Sequence, residues 1–236
     1  MHKGRLYMIP TTLGASDVNK ILPTSVKETI HGLNEFIVEN SKTVRAFLKS
    51  MQIPTPQNEL TLHVLNKHTE EQELHSYLEA CRQGKSIGLI SEAGCPGVAD
   101  PGAEIAAIAH KEDIQIIPLV GPSSILLSLM ASGMNGQSFC FHGYLPIDRK
   151  EIKNKLKDLE SASRKNHQTQ LFIETPYRNN KLLEVLLQNL QNQTQLCIAC
   201  DLSLDTEYIK TKSIQQWKKV TKPDLHKRPC IFLILA

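Results

Sequence analysis

Short apolar runs alternate along this chain with segments whose apolar residues recur at helical spacing. The short runs predict buried β-strands, because a strand of a few residues can bury both of its faces inside an α/β layer. Strands are expected at Leu6–Ile9, Glu35–Val38, Ser86–Ile90, Ile114–Leu119, Phe139–His142, Gln170–Glu174, Gln195–Asp201, Tyr208–Lys212 and Cys230–Leu235.

The segments between these runs predict helices, and the alternation of the two indicates an α/β fold. A parallel sheet is expected in the first half of the chain and a mixed sheet in the second, with domains at 1–119 and 120–236. The predicted helices are Ser25–Leu33, Thr43–Met51, Thr69–Gln83, Ala103–Lys111, an apolar helix that opens at Gly121–Ser124 and runs to Gly133, and Asn180–Leu190.

Composition excludes several classes of protein. The 236 residues are 41% hydrophobic and 22% charged, which is typical of a globular protein rather than a disordered or fibrous one. The longest apolar runs are far shorter than the roughly 18 residues of a membrane span. The N-terminal residues show no apolar core of a secretory signal. We therefore expect a cytoplasmic protein without a membrane partner.

The net charge of +3 hides an uneven distribution. Residues 1–148 carry 11 basic and 15 acidic side chains, whereas residues 149–236 carry 16 basic and 9 acidic ones. The excess is concentrated in Arg149–Lys165 and Lys210–Arg228, each with 7 basic residues. These segments are either solvated surface or a footprint for a polyanion such as RNA.

Six cysteines and the absence of several motifs narrow the chemistry. Cys197 and Cys200 form a C-x-x-C pair, but they lie in a strand-like run without a second pair, so we expect buried thiols rather than a zinc or redox site. The chain has no G-x-G-x-x-G, Walker A, G-x-S-x-G or H-E-x-x-H motif. No metal is predicted.

Four loops rich in small residues follow predicted strands: Pro10–Asp17, Ser91–Gly102, Gly121–Ser124 and Glu174–Arg178. Ligands of open α/β sheets bind outside the carboxyl ends of the strands, and small residues let a ligand approach the backbone there. The alternative is that Gly and Pro only mark turns.

The same loops carry a resemblance to the tetrapyrrole methylase superfamily of S-adenosylmethionine-dependent methyltransferases. Within it, the chain is most similar to the branch that 2′-O-methylates a cytidine of small-subunit ribosomal RNA. The matching stretches, in order along nearly the whole chain, are LYMIPTTLG at 6–14, FIVENSKTVRAFL at 36–48, GLISEAGCPGVADPG at 88–102, PLVGPSS at 118–124 with ASG at 131–133, FHGYLP at 141–146 and FIETPYR at 172–178.

The resemblance implies two α/β domains of the tetrapyrrole methylase type, with a parallel-sheet N-terminal domain, a mixed-sheet C-terminal domain and the cofactor cleft between them. It also implies a homodimer, a role in rRNA processing and S-adenosylmethionine as cofactor. Transferred by position, the cofactor-binding residues would be Leu13, Gly14, Ala93, Gly94, Pro96, Val98, Ser123, Ser124, Glu174 and Leu202.

Methylation of a ribose hydroxyl requires removal of its proton, so a carboxylate or Lys near the methyl donor is expected. Glu39 is the catalytic candidate, since it ends the predicted strand Glu35–Val38 and matches the Glu of the relatives' AEDTR segment. The alternative is that Glu39 caps the following helix. Arg45 and Arg178 are candidates for binding substrate phosphate or carboxylate, or for surface ion pairs.

Some substrate-facing positions depart from the resemblance. Asn40 and Lys42 replace the Asp and Arg of AEDTR, and Tyr177 stands where relatives carry His. Three functions therefore stay open: a methyltransferase of ribosomal RNA ribose, a methyltransferase of a tetrapyrrole or another small molecule, and a non-catalytic relative that binds S-adenosylmethionine or RNA.

Overall fold

A computed structural model describes residues 2–66 and 69–236 of the chain, except the side chain of Glu71. The described chain divides into two units. Unit 1 ends at Ser123 and unit 2 runs from Ser124 to Ala236. The domain ranges 1–119 and 120–236 stay a prediction about where each domain begins and ends.

Unit 1 contains a five-stranded sheet in the order β3-β2-β4-β1-β5, and every pair of neighbouring strands is parallel. The parallel sheet predicted for the first half is therefore confirmed. Strand β3, which was not predicted from the sequence, is a half-exposed edge strand with a weak apolar pattern. The strands are β1 (Arg5–Ile9), β2 (Glu35–Val38), β3 (Thr61–Val64), β4 (Ile87–Ile90) and β5 (Gln115–Pro118).

Helices cover both faces of this sheet, because successive side chains of a buried strand point to opposite sides. In β1, Leu6 and Met8 join one apolar cluster, whereas Ile9 joins the other. The first cluster is completed by α4 (Glu71–Ser76), α5 (Glu79–Arg82) and α6 (Gly102–Lys111), and the second by α1 (Val18–Ile21), α2 (Thr24–His31) and α3 (Ser41–Ser50).

The single helix predicted at Thr69–Gln83 is wrong: α4 and α5 are separate helices with a turn at Tyr77 and Leu78. The amide N–H groups of both turn residues bond carbonyls three positions earlier, and the Tyr77 hydroxyl donates to the Val64 carbonyl at 2.8 Å. The side chains of both residues are buried in the core. Their burial and the Tyr77 bond to β3 are tertiary interactions, which helical periodicity does not report.

Unit 2 contains a second five-stranded sheet, in the order β6-β7-β10-β8-β9. Its β6–β7 pair is parallel and its other pairs are antiparallel, so the predicted mixed sheet is confirmed. The strands are β6 (Phe139–Tyr144), β7 (Thr169–Ile173), β8 (Gln195–Cys200), β9 (Tyr208–Ser213) and β10 (Cys230–Leu235).

The core of unit 2 lies between this sheet and three of its helices. Trp217 is fully buried there and donates from Nε1 to the Leu196 carbonyl at 2.9 Å. Helix α10, which carries Trp217, is too short for its periodicity to be recognised in the sequence. The helices of unit 2 are α7 (Ser124–Ser132), α8 (Arg149–Asn166), α9 (Asn179–Asn189) and α10 (Ile214–Lys218), and the last three pack on this core.

The cysteine prediction is confirmed for the C-x-x-C pair. Cys197 and Cys200 are both buried in β8 as free thiols. Cys200 faces Cys230 directly across the β8–β10 ladder. Burial raises the pKa of the Cys197 thiol, which makes it a poor nucleophile or metal ligand.

Candidate functional site

The predicted ligand loops of unit 1 meet at one edge of the parallel sheet. Strands β1 and β4 are neighbours, but the helices that follow them, α1 and α6, pack on opposite faces. Loops that leave adjacent parallel strands toward opposite faces open a crevice at the carboxyl ends of those strands. The loops Pro10–Asp17 and Ser91–Gly102 border this crevice.

Hydrogen bonds join these two loops directly. The backbone N–H of Thr11 donates to the Gly94 carbonyl at 2.9 Å, and the Thr11 hydroxyl donates to the Ser91 carbonyl at 3.2 Å. The Ser91 hydroxyl also donates to the Gly94 carbonyl, at 2.7 Å. Thr11, Ser91 and Gly94 are buried, so these bonds fix the shape of the crevice floor.

Gly94 fits this position because it has no side chain. Its φ of +72° lies in the left-handed region, and a Cβ would come within 3.1 Å of both Leu13 Cδ2 and the Pro122 carbonyl oxygen. The neighbouring Cys95 thiol donates to the Pro122 carbonyl at 3.4 Å. Gly94 and Cys95 therefore bring the third loop of unit 1, which contains Pro122, against the other two.

Asp100 holds the remainder of the second loop. Its Oδ1 accepts from the backbone N–H groups of Gly97 and Gly102, both at 2.8 Å. The Gly102 bond comes at the first residue of α6, so Asp100 fixes both the loop and the start of the helix. The ordered backbone of this loop can present N–H and C=O groups to a ligand.

A cavity of about 220 Å³, called here the unit 1 cavity, opens above these loops. It brings together three of the predicted cofactor-binding residues, Leu13, Gly14 and Ala93. Gly94 and Pro96 are buried in the same loop, whereas Val98 is 51% exposed and does not line the cavity. The lining residues are Thr11, Thr12, Leu13, Gly14, Thr43, Val44, Phe47, Ser91, Glu92 and Ala93.

Glu39, the catalytic candidate, lies beside this cavity at the end of β2. Its Oε1 accepts from the backbone N–H of Glu92 at 3.1 Å, and with Ser91 and Asp100 it lines a small crevice. Glu39 does not cap α3. That role belongs to Asn40, whose side chain accepts from the N–H groups of Lys42 and Thr43.

The environment of Glu39 favours its protonated form relative to a carboxyl in water. Burial raises the pKa of Glu39 above its ordinary value, and the charges of Asp100 and Glu92 raise it further, while the hydrogen bond from Glu92 opposes them. A carboxylate that is half-buried, near other carboxylates and raised in pKa is typical of a general base.

Glu92 is a functional candidate that was not predicted from the sequence. Its Oε1 accepts from the Thr43 hydroxyl at 2.5 Å, and both residues line the unit 1 cavity. Its backbone N–H holds Glu39, so one residue connects the loop after β4 with the loop after β2. In the sequence, the only indication of a role for Glu92 is its position inside the predicted ligand loop Ser91–Gly102.

The structure does not place Arg45 in the unit 1 cavity. Its guanidinium instead donates to the carbonyl of Gln57 through Nη1, and neither residue lines the cavity. This bond gives Arg45 a structural partner within unit 1. Its role in binding substrate stays a prediction.

The remaining predicted residues belong to the start of α7 and to unit 2. Ser123 ends unit 1, and Ser124 is the first residue of α7, as expected for a helix start. Leu202 is buried just after β8. The structure brings Glu174 and Arg178 together, because Arg178 Nη2 donates to Glu174 Oε1 at 2.5 Å.

The described part of the chain contains neither a membrane-spanning helix nor a cluster of potential metal-ligating side chains. No helix within 2–66 and 69–236 is long and apolar enough to cross a membrane. Among the same residues, no group of three or more His, Cys, Asp or Glu side chains is placed to hold a metal ion.

Two similar proteins from different bacteria carry the same name. A ribosomal RNA small subunit methyltransferase I of Buchnera aphidicola (subsp. Schizaphis graminum) is 29% identical over 234 residues, covering 98% of this chain and 78% of the relative. A protein of the same name from Synechocystis sp. is 30% identical over 200 residues, covering 85% of this chain and 67% of the relative.

The fold also matches solved structures. The crystal structure of the methyltransferase CobJ superimposes with a TM-score of 0.63 at 19% identity, covering 98% of this chain and 94% of that chain. At this identity the match shows the fold alone, and it confirms the predicted fold class. Residues 14–217 match the family described as Tetrapyrrole (Corrin/Porphyrin) Methylases. The chain therefore belongs to the tetrapyrrole methylase family and is a methyltransferase.

Proposed function

We propose that this chain transfers a methyl group from S-adenosylmethionine to a ribose 2′-hydroxyl of small-subunit ribosomal RNA. Relatives that align with nearly all of the chain carry the name ribosomal RNA small subunit methyltransferase I. The observation in the structure that carries the proposal is Glu39, a carboxylate with raised pKa at the edge of a loop-lined cavity.

The unit 1 loops fit the cofactor proposed for them. S-adenosylmethionine, when bound, supplies a methyl group already activated by its sulfonium centre. Leu13, Gly14 and Ala93 supply cavity wall and backbone contacts, and Gly94 keeps the floor open, since a side chain there would meet Leu13. For Ser123, Ser124, Glu174 and Leu202 the proposed cofactor contacts rest on the resemblance.

Glu39 is proposed as the general base. Its carboxylate accepts the proton of the ribose hydroxyl as that oxygen becomes a nucleophile, and its raised pKa brings its basicity closer to the working pH. The backbone N–H of Glu92 holds one carboxylate oxygen in place. General base catalysis of this type contributes about 10²- to 10⁴-fold to a rate.

The RNA partner is supported by the charge of unit 2. Helix α8 exposes Arg149, Lys153 and Lys157, which recur every four residues and therefore share one side of the helix. A stripe of cations on one helix face is typical of a phosphate-binding surface. The proposal also includes two expectations taken from the sequence and its resemblance, a homodimer and a cytoplasmic location.

The test is methyl transfer from labelled S-adenosylmethionine to RNA from cells that lack the protein. We expect label in the ribose of small-subunit RNA, mapped as 2′-O-methylation. The Glu39→Gln variant keeps an acceptor for the Glu92 N–H but loses the base, so its rate should fall about 10²- to 10⁴-fold. Glu59→Gln is the matched control, because Glu59 is exposed in the same unit and outside both crevices.

Other results would identify the alternatives. Label in a corrinoid or porphyrin precursor, with RNA inert, would identify a methyltransferase of tetrapyrroles. Binding of S-adenosylmethionine without transfer to either class would contradict the proposed activity and indicate a relative that only binds the cofactor. Full activity of Glu39→Gln would leave the RNA substrate in place and remove Glu39 as the base.

A further inference from the structure

A second and larger cavity lies entirely within unit 2, between the first turn of α8 and one side of α9. Its volume is about 490 Å³, in the range of sites that hold small molecules or single nucleotides. We call it the unit 2 cavity. Its lining residues are Pro146, Ile147, Arg149, Ile152, Glu174, Arg178, Lys181, Leu182, Glu184, Val185, Gln188 and Asn189.

Part of its wall is apolar and accessible. Ile147 is 68% exposed, although it follows the buried Leu145 by only two residues. Pro146, Ile152 and Val185 continue the apolar lining inward. The exposed Ile147 side chain beside the cavity gives an apolar surface against which a ring can pack.

Charges of both signs surround this apolar wall. Arg149 and Lys181 are exposed and, among the residues that the structure describes, make no ion pair. Glu184 is exposed on the same wall and is also unpaired within the described chain. The cavity therefore offers cations to an anionic group and a carboxylate acceptor to an amino group.

Arg178 adds an unsatisfied donor to the same wall. Its Nη2 is held by Glu174, but its Nε is buried and has no hydrogen-bond partner in the described residues. Buried donors in folded proteins are nearly always paired, so this Nε is an exception among the described residues. Arg178 therefore adds a polar group with unused hydrogen-bonding capacity to the residues around the cavity.

The residues beside the unit 2 cavity favour a polymeric ligand over a free small molecule. Arg149 lines the cavity and is also the first residue of the basic stripe on α8, which continues through Lys153 and Lys157. Each step of four residues along a helix advances about 6 Å. Cations that leave the cavity in a row suit a ligand with several successive phosphates.

We propose that the unit 2 cavity binds one unstacked nucleotide of single-stranded RNA, whose neighbouring phosphates lie along α8. The base packs on Ile147 and Pro146, and its exocyclic amino N–H donates a hydrogen bond to the Glu184 carboxylate, while Arg149 and Lys181 contact the flanking phosphates. Proteins read single-stranded RNA by stacking splayed bases on side chains, chiefly aromatic rings and Arg guanidinium planes, and by bonding the base edges. In the unit 2 cavity the packing surface is aliphatic. This inference rests on the proposed function, since it describes how the substrate RNA is held.

The experiment measures binding of a short fluorescent single-stranded RNA and of the matching duplex by anisotropy, without S-adenosylmethionine. Gln188→Trp fills the cavity from an exposed position of α9. We expect it to weaken single-strand binding about tenfold, the loss of one packed base, and to leave duplex binding unchanged. The thermal midpoint checks that the variant folds.

A charge-reversal pair tests the phosphate contact. Arg149→Glu should weaken single-strand binding and reduce the slope of log affinity against log salt by about one. Lys150→Glu makes the same change one residue later, where the side chain is exposed but does not line the cavity. The loss in Arg149→Glu must exceed the loss in this control.

Several results would overturn the inference. Wild-type affinity of Gln188→Trp for single-stranded RNA, or equal losses for single strand and duplex, would exclude a nucleotide in this cavity. Binding of a free nucleoside monophosphate as tight as the RNA would indicate a small-molecule effector instead. In these cases methyl transfer by the wild type would continue, whereas a failure of the proposed function would abolish RNA methylation itself.

Discussion

At the scale of single residues, the chemistry of unit 1 depends on two neighbours with different tasks. Glu39 and Asn40 follow β2 directly and both precede α3, but only Asn is a preferred N-cap residue type. The structure gives the cap to Asn40 and directs Glu39 to the backbone N–H of Glu92. Glu39 is thus held in a crevice beside other carboxylates, where its negative charge is disfavoured.

This placement predicts a pH-dependent effect of Glu39→Gln on stability. Because burial raises the pKa of Glu39 in the folded state, ionisation destabilises the wild type progressively as the pH rises above the ordinary Glu pKa, and fully above the raised one. At about pH 4 the carboxyl is largely protonated in both folded and unfolded chains. We therefore expect Glu39→Gln to unfold at higher urea than wild type at pH 8, with the difference vanishing near pH 4.

Urea denaturation across this pH range checks the prediction. The exposed Glu59→Gln should show no such trend. A Glu39→Gln variant less stable than wild type at pH 8 would contradict the view that burial dominates the free energy of this carboxylate.

At the scale of elements, the start of α3 explains one departure from the relatives' AEDTR segment. Asn40 stands where that segment has Asp, and its Oδ1 accepts from the Lys42 N–H at 2.9 Å. Asn and Asp are about equally good N-cap residues because each places an oxygen over the first backbone N–H groups. The replacement therefore keeps the helix start while removing one negative charge beside Glu39.

Substitutions of Asn40 test its role as the N-cap of α3. Asn40→Ala is expected to lower the free energy of unfolding by about 1 kcal/mol, whereas Asn40→Asp should stay close to wild type. Ser41→Ala, one residue into α3, is the control, because no cap bond of its side chain is present in the described structure. Chemical denaturation measures all three. A loss in Asn40→Asp as large as in Asn40→Ala would contradict the capping role.

At the scale of the whole molecule, two sheets of different type are built by one chain. The parallel sheet of unit 1 provides crevices at its strand ends, where small residues form loops with ordered backbone. The mixed sheet of unit 2 is covered on one face by a core that contains Trp217 and the apolar sides of α8 and α9.

Cofactor binding should stabilise the folded chain. A ligand present at a hundred times its dissociation constant adds about 2.7 kcal/mol to the free energy of unfolding, so S-adenosylmethionine should raise the thermal midpoint. Gly94→Ala should abolish this increase, because the new Cβ meets Leu13 and the Pro122 carbonyl.

Gly133→Ala is the matched control for backbone strain. Gly133 has a φ of +71°, and a Cβ at this position would have no neighbouring atom within 4 Å. Both variants should lose about 1–2 kcal/mol from the left-handed backbone, but only Gly94→Ala should lose the response to S-adenosylmethionine. No response in the wild type would contradict the proposed cofactor site.

The sequence by itself determined the type of fold and the positions of most strands. The strands Glu35–Val38 and Cys230–Leu235 have the same limits in the structure as in the prediction. Buried strands are local apolar runs with sharp ends, so the sequence shows where they begin and end. The loops that resemble methyltransferase motifs are also local, so their order along the chain was enough to indicate the family.

Only the tertiary structure decided which residues meet. It divided the predicted helix Thr69–Gln83 at Tyr77, brought Glu92 to Glu39, paired Arg45 with the Gln57 carbonyl and opened the unit 2 cavity beside Arg178. Each of these depends on a contact between residues distant in the chain or on the packing of side chains against another element. Periodicity and composition describe neighbours in sequence, and such contacts arise only when the elements have packed.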